Sequence, residues 1–301
     1  MHVINDGPSK SYKAPTPSSS NGISKLDDAE IQNLSRFVTY SAASYCQNSF
    51  DWTCGQYCDG IPKTEVIKTF TTKPDEWVEI FGGNATAYAI LTANHQYQEI
   101  VLTFRGTDNV GNTVEDFKVV QIPYGFDSTT LPTESQVGAL VHLGFYKTFL
   151  SFQQQIRDEI SMTYNKYPDY KYVVTGHSLG GALALLAALD IKQFIGCKIC
   201  LYTYGEPRCG NSIFASFADE TLDIVYRVVN QADKVPHLIP KVNYQHHKGE
   251  VWIANTTDNE AVKCSGDENK LCSDSVKSAD WNSVDHDGPY WGVLINKDLC
   301  Q

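Results

Sequence analysis

The sequence predicts an α/β protein with a mostly parallel central sheet and helices on both faces. Apolar stretches of strand length, such as 99–104 and 198–204, alternate along the chain with segments of helical periodicity. This alternation is typical of parallel sheets that are covered by helices on both sides. The 301 residues are enough for one large domain with a substantial core.

The predicted elements begin near residue 25. Residues 1–24 are rich in Ser, Pro, Asn and Lys without an apolar period, so we expect a flexible leader or the remnant of a pro-segment. Residues 25–301 are expected to form a single domain. Helices are predicted at 26–46, 146–164, 179–189 and 214–220, and strands at 66–70, 86–91, 99–104, 172–175, 198–204, 224–229 and, as an edge strand, 251–254.

The charge balance argues against two kinds of partner. The formal net charge is −11 and the chain has no run of Lys or Arg, so neither nucleic acid nor an anionic membrane surface is an expected partner. No stretch approaches the ~20 apolar residues of a membrane span. A monomer is our working expectation.

Nine cysteines indicate an oxidising compartment. Several lie close in sequence, at 54 and 58, 197 and 200, and 264 and 272, without the His and Cys spacing of a zinc site. Disulfides are the better interpretation, and they imply secretion. Sequons at Asn33, Asn84 and Asn255 fit an extracellular glycoprotein.

The segment around Ser178 carries the strongest chemical signal. A β-branched run precedes Gly-x-Ser-x-Gly at 176–180, and a helix rich in Ala and Leu follows it. This pattern predicts a nucleophile elbow, a sharp strand-to-helix turn that exposes the serine hydroxyl. The backbone N–H of Leu179, at the positive end of the helix, would face a developing oxyanion.

A serine nucleophile needs a base, and the base needs an orienting acid. In this arrangement the acid and then the base follow the serine along the chain. The acid candidates are Glu206, Asp219, Asp223 and Asp233, and the base candidates are His237, His246, His247 and His286. Asp233 stands out because it follows an apolar strand in a turn fixed by Pro236. His286 is favoured because His237 is only four residues from Asp233, while His246 and His247 flank a strand.

A second oxyanion donor is expected from a loop after an earlier strand. Thr107 follows the strongest early strand, 99–104, by three residues. Its backbone N–H and its hydroxyl could both donate to an oxyanion.

The chain resembles the class 3 secreted lipases of fungi and yeasts, which have the α/β-hydrolase fold. The resemblance spans about residues 30 to 300. The matching motifs are Thr-Phe-Arg-Gly-Thr at 103–107, Val-His-x-Gly-Phe at 141–145, Tyr-Pro-Asp-Tyr at 167–170, Thr-Gly-His-Ser-Leu-Gly-Gly at 175–181, Tyr-Gly-Glu-Pro-Arg at 204–208, Asn-x-x-Asp-x-Val-Pro at 230–236, Tyr-Gln-His at 244–246 and Asp-His at 285–286. Together they form a highly specific pattern.

The resemblance implies a catalytic triad of Ser178, Asp233 and His286 with Thr107 and Leu179 as oxyanion donors. It also implies three disulfides, Cys46–Cys300, Cys54–Cys58 and Cys264–Cys272. Cys209 is the expected free thiol, and a bridge between Cys197 and Cys200 is doubtful because it would form at the start of a strand. The implied chemistry needs no metal and no organic cofactor.

The segment at 108–118 corresponds to the mobile lid of these lipases. Val110, Val114 and Phe117 fall at helical spacing and give one thin apolar stripe, whereas most of the remaining residues are polar. We expect a triacylglycerol lipase that acts at an oil–water interface. The alternative is a feruloyl or aryl-ester esterase, a sister group with a polar, fixed lid. A non-catalytic binding module is disfavoured because every element of the triad is present.

Overall fold

The computed structural model describes residues 10–72, 87–107, 119–125, 134–257 and 260–300. The expected lid at 108–118, with Val110, Val114 and Phe117, lies outside the described residues. The strands are β1 (Ile23–Lys25), β2 (Thr64–Thr71), β3 (Tyr88–Asn94), β4 (Glu99–Phe104), β5 (Gln121–Pro123), β6 (Leu140–His142), β7 (Lys171–His177), β8 (Ile199–Tyr204), β9 (Ile224–Asn230), β10 (Glu250–Asn255) and β11 (Glu260–Cys264). The α-helices are α1 (Asp28–Ala43), α2 (Gln56–Asp59), α3 (Leu143–Lys166), α4 (Leu179–Ile195), α5 (Ser212–Thr221) and α6 (Val235–Leu238).

Among the described residues, nine strands form one sheet in the order β1-β11-β10-β9-β8-β7-β4-β3-β2. The five central strands, from β4 to β10, run parallel, and two antiparallel strands extend the sheet on each side. The predicted fold class is confirmed, with the parallel strands concentrated at the centre. A separate antiparallel ribbon consists of β5 and β6.

Both faces of the sheet are covered, as the sequence predicts. Successive residues of a strand point to opposite faces, so Val173 packs in the cluster with α1 while Val174 packs in the cluster with α3 and α4. Helix α1 contributes buried side chains such as Phe37 to the first cluster. Helices α3 and α4 contribute side chains such as Phe152 and Leu186 to the second.

The assignment of 251–254 as an edge strand is wrong. Strand β10 lies between β9, which is parallel to it, and β11, which is antiparallel to it. The edge on this side is β1, which pairs with β11 through Ile23 and Cys264. Neither β1 nor β11 is among the strands predicted from the sequence.

Residues 10–25 lie against the sheet, which differs from the flexible leader expected for 1–24. The backbone N–H of Tyr12 donates to the carbonyl of Ala254 at 3.1 Å, and Ile23 is buried in β1. Residues 1–9 are outside the described part of the chain. The apolar side chains Tyr12 and Ile23 supply the packing that the polar composition of this segment did not reveal.

The structure contains three disulfides, Cys46–Cys300, Cys54–Cys58 and Cys264–Cys272. Cys197, Cys200 and Cys209 are all unbridged. In the ranges described, no helix combines the length and apolar character needed to cross a bilayer.

The sequons differ in their surroundings. Asn33 lies within α1, where its side-chain oxygen accepts from Arg36 at 2.9 Å. Asn255 ends β10 and is half-buried. Asn84 lies outside the described residues.

Candidate active site

Ser178 occupies a sharp turn between β7 and α4. Its backbone has φ 59° and ψ −132°, a left-handed conformation that is strained for any residue with a side chain. A Cβ on Gly176 would lie 2.9 Å from the nitrogen of Gly181, so the crossing of strand and helix requires glycine there. The N–H of Ser178 donates to the carbonyl of Tyr204 at 2.8 Å, which ties the turn to β8.

His286 and Asp233 form a buried pair. Nδ1 of His286 lies 2.9 Å from both carboxylate oxygens of Asp233. The carboxylate can only accept, so Nδ1 carries the proton and Nε2 is left with its lone pair. This Nε2 atom is buried and has no hydrogen-bond partner among the described residues. It is therefore available to take a proton from a nearby hydroxyl.

Burial penalises a charge on either member of this pair. It lowers the pKa of His286 from 6.5 to about 4 and raises the pKa of Asp233 from 3.8 to about 7. Because the two groups share a hydrogen bond, they titrate as a pair rather than independently. The form that can act as a base has Asp233 ionised and His286 neutral.

Asp285 connects the turn of His286 to the loop of Asp233. Its carboxylate accepts from the N–H of Ala232 at 3.0 Å and from Nδ2 of Asn282 at 2.9 Å. Its carbonyl accepts from Nδ2 of Asn230 at 2.9 Å. These bonds fix the separation of the two loops. Asp285 belongs to the Asp-His motif at 285–286, but its role in joining the two loops was not predicted from the sequence.

The residues expected to bind an oxyanion lie near the nucleophile turn. Leu179 is the first residue of α4, so its N–H is one of the first-turn N–H groups that have no acceptor within the helix. These groups lie at the positive end of the helix dipole. Thr107 follows β4, which pairs in parallel with β7. A Cβ on Gly106 would lie 3.0 Å from Cβ of Ser178, so the backbone that leads to Thr107 passes close to the serine.

The other candidate bases have structural partners elsewhere. His237 stacks on Trp281 with ring centroids 4.9 Å apart. Nε2 of His246 lies 2.9 Å from the carbonyl of Pro236, and Nε2 of His247 lies 3.1 Å from Oε2 of Glu206.

Two of the other candidate acids are also engaged. Asp219 accepts from the N–H of Lys248 at 2.8 Å, and Asp223 pairs with Lys192 at 2.8 Å.

The structure brings two candidate acid–base pairs together, Glu206 with His247 and Asp233 with His286. Both ring nitrogens of His247 are engaged, because its Nδ1 also lies 2.8 Å from the carbonyl of Lys248. Among the described residues, Nε2 of His286 has no partner, so the pair of Asp233 and His286 is the one that can act as a base.

One group of potential metal ligands occurs within the described residues, formed by Glu250, Cys264 and Cys272. The two cysteines are joined in a disulfide. Glu250 already accepts from Arg227 at 3.2 Å and from the N–H of Ser273 at 3.0 Å. The donor set therefore does not suit a metal ion.

Comparison with known proteins identifies the family of this chain. The family described as "Lipase (class 3)" matches residues 101–243. A lipase of Rhizomucor miehei is 33% identical over 288 residues, covering 93% of this chain and 73% of the relative. Secreted mono- and diacylglycerol lipase 2 of Gibberella zeae is 29% identical over 323 residues, covering 93% of this chain and 77% of the relative.

Solved structures show the same relationship. The crystal structure of a lipase from Rhizopus microsporus var. chinensis has a TM-score of 0.80 at 28% identity and covers 98% of both chains. The triacylglyceride lipase of Rhizomucor miehei has a TM-score of 0.78 at 32% identity, covering 93% of this chain and 100% of that one. The chain therefore belongs to the class 3 lipase family and is a carboxylic ester hydrolase.

Proposed function

We propose that the chain is a secreted acylglycerol lipase whose catalytic triad is Ser178, Asp233 and His286. The observation that carries the proposal is the pairing of Asp233 with His286 at 2.9 Å in the same site as the strained Ser178 turn. This pairing leaves a buried Nε2 that has no partner in the part of the chain that the structure describes. Acylglycerols are the proposed substrates because they appear in the names of the relatives.

The reaction proceeds in two halves. Nε2 of His286 takes the hydroxyl proton of Ser178 as the oxygen attacks the ester carbonyl. Asp233 keeps the proton on Nδ1 and stabilises the imidazolium that forms. The imidazolium then gives its proton to the leaving alcohol, and the acyl group stays on Ser178. Water, activated by the neutral His286, releases the fatty acid and restores the serine.

The tetrahedral intermediate carries a negative charge on the former carbonyl oxygen. We assign the N–H of Leu179 and the N–H or hydroxyl of Thr107 as its donors, because Leu179 opens α4 and Thr107 follows the backbone beside Ser178. Loss of one such donor costs roughly 3–4 kcal/mol of transition-state stabilisation.

Three disulfides and the secreted relatives support an extracellular location. Every group of the proposed triad and oxyanion site comes from one chain, so we propose that a monomer is sufficient.

Fatty-acid release from emulsified long-chain triacylglycerol tests the proposal. The native protein should release acid, and Ser178→Ala should not. Ser151→Ala is the matched control, since the hydroxyl of this serine donates to the carbonyl of Thr148 within α3 at 2.7 Å. Mono- and diacylglycerols in the same assay identify the preferred substrate.

The polar composition of residues 108–118 favours the alternative function, an esterase that acts on soluble substrates. Cleavage of soluble feruloyl or short-chain esters through Ser178, without activity on the emulsion, would contradict the lipase proposal. It would support the esterase instead.

A further inference from the structure

His177, the residue before Ser178, makes contacts that the turn itself does not require. Its Nε2 lies 2.9 Å from the main-chain carbonyl oxygen of His286, and its Nδ1 lies 2.9 Å from the hydroxyl of Tyr45. The rings of His177 and His286 pack with centroids 4.3 Å apart. His177 is 1% exposed, so both nitrogens depend on these partners.

The hydrogen-bond partners of His177 determine the tautomer of its ring. The carbonyl of His286 can only accept, so Nε2 of His177 must carry a proton. Burial lowers the pKa of His177 well below its usual 6.5, and the neighbouring His286 adds to this shift. The ring is therefore neutral, Nδ1 is an acceptor, and the hydroxyl of Tyr45 donates to it. Tyr45 thus selects the one neutral tautomer that can hold the carbonyl of His286.

Tyr45 is placed where it touches several parts of the site. It lies just beyond α1, next to Cys46, which is bridged to Cys300. A Cβ on Gly106 would collide with the Tyr45 hydroxyl, so this hydroxyl lies against the turn that leads to Thr107. Tyr45 therefore contacts both the nucleophile turn and the turn of the proposed oxyanion donor.

The carbonyl of His286 has a second donor, the hydroxyl of Tyr290 at 2.9 Å. His286 is thus held at two points, through its ring by Asp233 and through its main chain by His177 and Tyr290. Loss of the His177 bond leaves the Tyr290 bond and the Asp233 pair in place. Variants at Tyr45 and His177 should therefore fold while the ring of His286 gains freedom.

We propose that Tyr45 and His177 are positioning residues for ester hydrolysis. Tyr45 fixes the tautomer of His177, and His177 holds the main chain of His286 so that its Nε2 faces Ser178. The inference rests on the proposed roles of Ser178 and His286. A purely structural role would change stability and leave turnover unchanged.

Steady-state kinetics on a soluble short-chain ester separate a positioning role of Tyr45 and His177 from a purely structural one. Tyr45→Phe should lower kcat about tenfold with KM within about twofold, since a hydrogen bond needed only for orientation is lost. His177→Ala should lower kcat on the order of a hundredfold, the scale expected for a small misplacement of a catalytic group. His177→Gln should retain part of the activity, because its amide N–H can replace the Nε2 donor.

A double-mutant cycle gives the sharpest test. Tyr45 acts through His177, so Tyr45→Phe should have no further effect on kcat in the His177→Ala background. Tyr57→Phe is the matched control, since it removes a tyrosine hydroxyl that donates to the carbonyls of Leu294 and Asn296 rather than to a residue of the triad or to His177. It should lower the melting temperature and leave kcat unchanged.

Three results would overturn the inference. The first is a native-like kcat in both Tyr45→Phe and His177→Gln. The second is that the effects of Tyr45→Phe and His177→Ala add in the double variant. The third is a loss of kcat in Tyr57→Phe as large as that in Tyr45→Phe. If His177→Ala does not fold, Tyr45→Phe and His177→Gln still decide between the roles. Ser178→Ala separates a failure of this inference from a failure of the proposed function. Ester hydrolysis that persists in Ser178→Ala would show that Ser178 is not the nucleophile and would refute the proposed triad.

Discussion

A Cβ on Gly205 would lie 2.6 Å from Cε1 and 2.7 Å from Nδ1 of His286. The same atom would lie 2.8 Å from Oδ2 of Asp233. Gly205 follows β8 with φ +58°, and its N–H donates to the carbonyl of Val228 at 2.9 Å. The missing side chain at this position makes room for the catalytic pair.

Gly205→Ala should therefore displace the pair and lower kcat/KM on the order of a hundredfold. Gly196→Ala is the matched control. Gly196 also has a positive φ, +69°, but a Cβ there would meet none of the described atoms within 4 Å. Both variants carry the cost of a left-handed alanine, ~1–2 kcal/mol. Melting temperatures measure that shared cost, and equal activity losses in the two variants would refute the steric role of Gly205.

Asp233→Asn should lower kcat about 10⁴-fold, because an amide can present a donor to Nδ1 and favour the wrong tautomer of His286. Asp190→Asn is the control for loss of a buried carboxylate. Asp190 pairs with Arg157 at 2.6 Å on the helical layer, away from His286. It should reduce stability and leave kcat close to the native value. Native-like turnover in Asp233→Asn would remove Asp233 from the mechanism.

The rate should depend on a single protonation in acid. The reaction needs Asp233 ionised and His286 neutral, so the rate falls when the pair takes up a proton. Burial raises the pKa of Asp233 to about 7 and lowers the pKa of His286 to about 4, so the midpoint of the coupled pair should lie between these values.

Log kcat/KM for a soluble ester should thus be level at higher pH and fall with a slope of one below the midpoint. Asp233→Asn has no carboxylate to titrate at this position, so its residual activity should depend on the protonation of His286 alone. We expect this activity to fall at a lower pH than the activity of the native protein. A native profile that stays flat down to pH 4 would argue against His286 as the base.

Local sequence signals were sufficient for the elements that carry the nucleophile. Strand β4 has the bounds that its apolar run indicates, and α4 begins at Leu179, directly after Ser178. The glycines, the strand and the helix of this turn are contiguous, so one window of sequence contains the whole motif. Asp233 and His286 needed more information, because chain order alone left several candidates.

Contacts between distant residues were not predictable in the same way. Strand β11 is short and carries Glu260 and Lys263, so it lacks a clear alternation, and its absence from the sequence analysis made β10 an apparent edge. The bond between Tyr45 and His177 joins residues 132 positions apart. Nothing in the local sequence of Tyr45 indicates that its hydroxyl reaches the nucleophile turn.

The most direct test of the triad is covalent labelling with an alkyl p-nitrophenyl phosphonate, followed by intact-mass measurement and peptide mapping. A phosphonate captures a nucleophilic serine as a stable analogue of the tetrahedral intermediate. We predict one phosphonate per chain on Ser178, slow labelling in Asp233→Asn and none in Ser178→Ala. Labelling of another residue in the native protein, with parallel loss of ester hydrolysis, would contradict the account.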